Sequence, residues 1–110
     1  MKRLDLHLEV EADLDRIWNW LALEQKVQEA ADCVCDSIEA SFHLLAAHPG
    51  IGIIRWKNNP DLADVRMLVV PRYHNYLVFY RELPDVVQII AVLYGKRDLP
   101  ARLLETGRFD

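Results

Sequence analysis

Two runs of β-branched and aromatic residues, Tyr76–Arg81 and Val86–Leu93, meet at the turn Leu83-Pro84-Asp85. This hairpin constrains the fold more than any other feature of the chain. The first run alternates, with Tyr76, Val78 and Tyr80 on one side and Leu77, Phe79 and Arg81 on the other, the period-2 mark of a strand. The second is almost continuously apolar and needs cover on both faces, which places it at the centre of a sheet. It ends in Tyr94-Gly95-Lys96-Arg97-Asp98. An antiparallel pairing is expected to bring Arg81 close to that cluster, and cations at a strand end suit a phosphate or an acidic partner.

The cover for such a sheet lies upstream. Leu4, Leu6, Leu8 and Val10 alternate with Asp5, His7 and Glu9, predicting a first strand with one wet face. Leu14, Ile17, Trp18 and Leu21 then fall at helical spacing, with Asp13 and Asp15 where a helix N-terminus favours acids. A second helical stripe runs through Val27, Ala31, Val34, Ile38, Phe42 and Leu45 until His48-Pro49-Gly50 stops it. The break between the helices is weakly marked, near Leu23 to Lys26. Residues 49–64 read as a loop with a short extended piece around Ile53 to Trp56, and Val65 to Val70 as a strand closed by Pro71-Arg72. The predicted fold is α+β, in the order β-α-α-β-β-β: an antiparallel sheet with a helical hairpin packed on one face. One domain is expected over residues 1–110, with one helical turn at Ala101 to Glu105 and a tail that frays over 106–110.

Composition limits the functions open to this fold. Hydrophobic residues make up 52% and charged residues 27% of 110, a globular profile. No apolar run approaches the roughly 20 residues of a membrane span, and no signal-peptide core opens the chain, so it reads as cytoplasmic. Net charge is −4, unevenly spread. Residues 1–50 hold 4 Lys/Arg against 10 Asp/Glu, a balance of −6; residues 51–110 hold 9 against 7, a balance of +2. This is not the positive field of a protein that coats nucleic acid, though a local cationic patch fits. Cys33 and Cys35 lie two apart in a helical segment and point to different faces, which disfavours a disulfide. His43 and His48 match no metal-ligand spacing with them, so neither a metal nor a cofactor is expected.

Pro49-Gly50-x-Gly52 with Arg55, Val65-Arg66, Tyr76 to Arg81, and Val92 to Asp98 stand in an order and spacing that resemble the ParE/RelE superfamily of toxins from bacterial type II toxin–antitoxin systems. The resemblance spans roughly Ala12 to Leu104. The ending VLYGKRDLPARLL looks closer to the ParE branch, whose members commonly carry VLHGxRDxxxLL; Tyr94 stands where histidine is common. The ParE branch implies inhibition of DNA gyrase without catalysis. The RelE branch implies metal-free cleavage of mRNA on the ribosome, which would assign Arg81, Tyr94, Arg66 and Arg55 as its catalytic set. Both imply a toxin–antitoxin complex in which a cognate antitoxin folds along the toxin surface.

The residues themselves weigh between these branches. Arg81 in an apolar strand is either a phosphate ligand or a structural partner of an acid such as Asp98. Tyr94 is a proton-transfer group if Lys96 or Arg97 lowers its pKa, or else an aromatic packing on a strand end. Arg55 and Arg66 are expected to flank the same sheet edge as Arg81 and, with Tyr94, Lys96, Arg97 and Asp98, to form one functional surface. RNA cleavage without a metal needs a base, an acid and a charge stabiliser close together, and Lys57 and His74 add little to that set. A gyrase inhibitor asks only for a complementary surface, so the ParE branch is preferred, with the RNase second and an inert toxin-like interaction module third. Trp18 fits the core stripe of the first helix and Trp20 points about 200° away; both are candidate antitoxin contacts.

Overall fold

The computed structural model describes residues 1–109. Strand β1 (Arg3–Leu6) leads into helix α1 (Val10–Asn19), which passes into a π-helical turn (Trp20–Glu24). Helix α2 (Gln28–Ala47) and a 3₁₀ turn (Pro49–Ile51) follow, then β2 (Ile53–Ile54), β3 (Arg66–Val69), β4 (Tyr76–Glu82), β5 (Val86–Tyr94) and helix α3 (Leu99–Glu105). The sheet order is β1-β5-β4-β3-β2. The meander from β2 to β5 is antiparallel, as the short connections between β3, β4 and β5 favour.

The α+β class holds, with one change of orientation. β1 pairs with β5 in parallel, Arg3 opposite Val86 and Leu6 opposite Ile89, so the sheet is mixed rather than antiparallel throughout. The connection between this parallel pair is long, as such pairs need: it runs through both helices and through β2, β3 and β4. β1 is also shorter than its alternation suggests. At His7 the chain turns, His7 O accepting from the Val10 N–H at 3.0 Å, and Leu8 is left 93% exposed while Val10 starts α1. A real break separates the helices: the π-helical turn winds down at Gln25, and Lys26 adopts a left-handed φ of 57°.

Both faces of the sheet are covered. Val34, Ile38, Phe42 and Leu45 of α2 and Val10 and Ile17 of α1 pack on Val78, Tyr80, Val87, Ile89 and Val92. On the other face, Leu62 and Val65 of the long loop, Leu99 and Leu103 of α3 and Phe109 pack on Leu77, Phe79, Ile90 and Ala91. Ile90 is the extra residue of a β-bulge, since Phe79 pairs with Ala91 and Tyr80 with Ile89. The tail reading is corrected for residues 106–109: Phe109 is 2% exposed, because α3 runs two turns and delivers it into this second core. Asp110 lies outside the described residues.

Gly52 of the Pro-Gly-x-Gly loop has no room for a side chain. A Cβ there would meet the Tyr80 ring at 2.6 Å, while the Gly52 N–H donates to the Tyr80 hydroxyl at 2.9 Å and that hydroxyl donates to Pro49 O at 2.6 Å. Gly50 is unconfined.

Candidate functional site

The register of the β4–β5 hairpin decides which candidate residues meet. Tyr94 stands opposite Tyr76, at the start of β4, whereas Arg81 stands opposite Gln88, near the turn. Six residues of strand, about 20 Å at 3.3 Å each, separate the two places. The expected approach of Arg81 to the Tyr/Lys/Arg/Asp cluster therefore does not occur; a hairpin brings the end of its first strand to the beginning of its second, not to its end.

Arg81 is instead held near the turn end. Its Nε donates to Asp64 Oδ1 at 2.9 Å and its Nη2 to Asp61 O at 3.1 Å, and its guanidinium lies 5.7 Å from the centre of the Phe109 ring. Asp64, not Asp98, is its acidic partner. Arg66 belongs to the opposite face, its Nη1 donating to Gly52 O at 2.9 Å beside Tyr80. Arg55 is exposed, 6.0 Å from the Trp56 ring. Three arginines expected to share one surface with Lys96 and Arg97 thus lie at three separate places.

The end of β5 assembles a different site. The Tyr76 and Tyr94 rings meet edge to face at 5.0 Å, and Trp20, carried there by the π-helical turn, lies 6.2 Å from Tyr94. With Arg16, Ile17, Val92 and Arg102 they line a groove of about 390 Å³. Burial, with Tyr94 adding to it, pushes the Tyr76 hydroxyl above the usual tyrosine range. Beyond Tyr94 the chain turns at Gly95, φ 84°, whose N–H donates to Asn75 O at 2.7 Å. Arg102 fixes this turn from α3, donating to Tyr94 O at 2.6 Å, Arg97 O at 3.2 Å and Gly95 O at 3.3 Å. Asp98, φ 52°, opens α3, and Lys96 and Arg97 project as exposed cations. Trp18 does not join the groove; its Nε1 donates to Asp32 Oδ1 at 2.8 Å and ties α1 to α2.

One carboxylate sets the position of α1 over this site. Asp13 is fully buried. Its Oδ2 accepts from the Val92 N–H at 3.0 Å and from Arg108 Nη1 at 2.6 Å; its Oδ1 accepts from Arg16 Nη2 at 2.8 Å and Arg108 Nη2 at 2.9 Å. Arg108 Nη1 also donates to Ile90 O at 3.1 Å, so the pair takes up polar groups that the bulge would otherwise strand. Burial alone would raise the Asp13 pKa, but the bonds from Arg108, Val92 and Arg16 outweigh it and hold the group below the usual range. Asp13, read from the sequence only as an acid at the helix N-terminus, also stands within the apolar stripe of Val10, Leu14 and Ile17, and that position was the signal for a buried carboxylate. Arg108 and Arg102 carried no local signal, because each acts across the fold.

The profile of the family described as "ParE toxin of type II toxin-antitoxin system, parDE" matches residues 4–99. Among solved structures, a chain of the chromosomal ParDE system from P. aeruginosa is similar at 23% identity, covering 87% of this chain and 98% of that one, with a TM-score of 0.68. A mutant of the E. coli toxin RelE in its free state is similar at 18% identity, covering 94% of this chain and 90% of that one, with a TM-score of 0.55. No curated protein sequence matches.

Proposed function

The chain belongs to the ParE toxin family of type II toxin–antitoxin systems, and on that premise we propose that it arrests growth by binding DNA gyrase without catalysis and is neutralised by a cognate antitoxin. The observation that carries this reading is the division of the cations. Arg81, the residue a ribonuclease of this fold would need at its phosphate, is engaged by the Asp64 carboxylate and the Asp61 carbonyl. It also lies about 20 Å along the sheet from Tyr94. What the β5 end offers is a fixed turn with two exposed cations, Lys96 and Arg97, beside exposed aromatic rings, a surface suited to contact rather than to proton transfer. Among the described residues no helix is long and apolar enough to cross a membrane.

Two assays of the purified chain test this: supercoiling by gyrase, and cell-free translation with mapping of mRNA ends. The expected outcome is inhibited supercoiling and intact mRNA, with reversal of charge at Lys96 and Arg97 weakening inhibition more than Tyr94→Phe. Codon-dependent mRNA cuts that vanish in Arg81→Ala, with supercoiling untouched, would establish the ribonuclease instead. Expression of the chain alone without any growth defect would identify an inert interaction module.

A further inference from the structure

We infer that the outer edge of β1 accepts a short basic segment of another protein as an added strand, its backbone pairing with Leu4 and Leu6. Such a partner is additional to gyrase and the antitoxin. β1 stands at one end of the sheet and pairs on one side alone. Its odd residues turn their backbone groups to β5: the Arg3 N–H donates to Asp85 O at 3.2 Å and the His7 N–H to Ile89 O at 2.8 Å. Strand alternation then aims the N–H and C=O groups of Leu4 and Leu6 outward, where no described residue takes them. Just before them the Lys2 N–H donates to Ala46 O at 2.9 Å, so the end of α2 closes the edge there. The four open groups are a template for a further strand.

The groove beside that edge selects the segment. Leu4 and Leu6, with Leu14 and the buried Phe42, line a space of about 500 Å³ between β1 and the two helices. Leu6 is left 40% exposed there, and an aliphatic side chain laid over it would take both out of water. Glu11, Asp15 and Glu39 stand around this space, all exposed, with His43 as its other titratable group. Among the described residues no ion pair reaches any of the three carboxylates. Residues i, i+2 and i+4 of a strand share one face. The matching pattern is therefore Arg-x-Leu-x-Arg, with the leucine in the groove and the arginines at its acidic rim. A second copy of the chain fits poorly. The register that satisfies all four backbone groups pairs Leu4 of one copy with Leu6 of the other. It sets Asp5 against Asp5, like charges directly opposite, and places both acidic grooves on one face.

The test titrates the full chain, followed by ¹H–¹⁵N spectra, with the end-capped peptide Thr-Arg-Thr-Leu-Thr-Arg-Thr. Control peptides carry Glu for Arg, Ala for Leu, or N-methyl groups on one or the other alternate set of amides. Only the parent and one of the two methylated peptides are expected to bind, because a strand added to an edge pairs through every second residue. At saturation, hydrogen exchange of the Leu4 and Leu6 amides should slow about tenfold, while that of Lys2, already bonded to Ala46 O, stays as it was. Affinity should fall about tenfold in the double variant Glu11→Lys/Glu39→Lys, where attractions become repulsions, with thermal unfolding verifying that it folds. No binding of the parent, equal binding of the Glu peptide, equal binding of both methylated peptides, or unchanged exchange at Leu4 and Leu6 overturns the proposal. So does a dimer in sedimentation whose Leu4 and Leu6 amides are protected without peptide, since the edge then belongs to a second copy. Neither gyrase nor the antitoxin takes part, so failure here leaves the toxin reading intact, and failure of the toxin assays leaves this result standing.

Discussion

At the scale of single residues, Asp13 is the one fully buried carboxylate among the described residues. A buried carboxylate with four hydrogen bonds, two of them from Arg108, cannot lose its charge without leaving a guanidinium whose side chain is 9% exposed with only the exposed Glu9 as counter-ion. Asp13→Asn is expected to lower stability by about 3–5 kcal/mol, the usual cost of breaking a buried ion pair from one side, measured by denaturant unfolding. The pH dependence has a fixed sign. The folded-state pKa of Asp13 lies below its ordinary value of 3.8, so the unfolded chain takes up the proton first. The stabilisation is thus complete well above pH 3.8 and is lost as the pH falls through the folded-state value. Acid titration of the melting temperature should show this loss in the native chain and a shallower slope in Asp13→Asn.

At the scale of elements, the sequence was most legible where a period meets a punctuation mark. The α2 stripe of Ala31, Val34, Ile38, Phe42 and Leu45 is the buried face, and Leu83-Pro84-Asp85 is the hairpin turn, because both depend on neighbours in the chain. The Ile90 bulge was hidden: in a continuously apolar strand, no residue announces itself as the extra one. The direction of β1 was hidden too, since its alternation is the same whether it runs with β5 or against it. The site suffered most. The five cations read as one surface, Arg55, Arg66, Arg81, Lys96 and Arg97, were candidates by residue type alone, and their separation is a matter of register and of which face each strand position takes. The helix break was marked by sequence only faintly, and its geometry carries a cost. Lys26 holds a left-handed φ of 57°, a conformation that costs a side-chain-bearing residue roughly 1–2 kcal/mol. Lys26→Gly should therefore raise stability by about 0.5–1 kcal/mol, the relief being partly offset by the greater freedom of glycine in the unfolded chain. A rise in melting temperature at unchanged helical content by circular dichroism checks it.

At the scale of the molecule, two cores share one sheet, and the ends of the chain close both: Leu4 packs against the first, Phe109 belongs to the second. Charge follows the same division, with the −6 of residues 1–50 on the helical side and the exposed cations Lys96 and Arg97 at the far end of β5. The parallel pairing of β1 with β5 has a consequence in time. Arg3 and Val86 are register partners 83 positions apart, so β1 has nowhere to dock until a segment far downstream of it has been synthesised. The β4–β5 hairpin and the helical hairpin can form from near neighbours, and the opening strand joins a structure already assembled. Weakening it should shorten the life of the native state rather than delay its arrival. Leu4→Ala is expected to speed unfolding several-fold in stopped-flow measurements while the folding rate stays within a factor of about two. A folding rate that fell as much as stability would place β1 in the nucleus, and this order of events would be reversed.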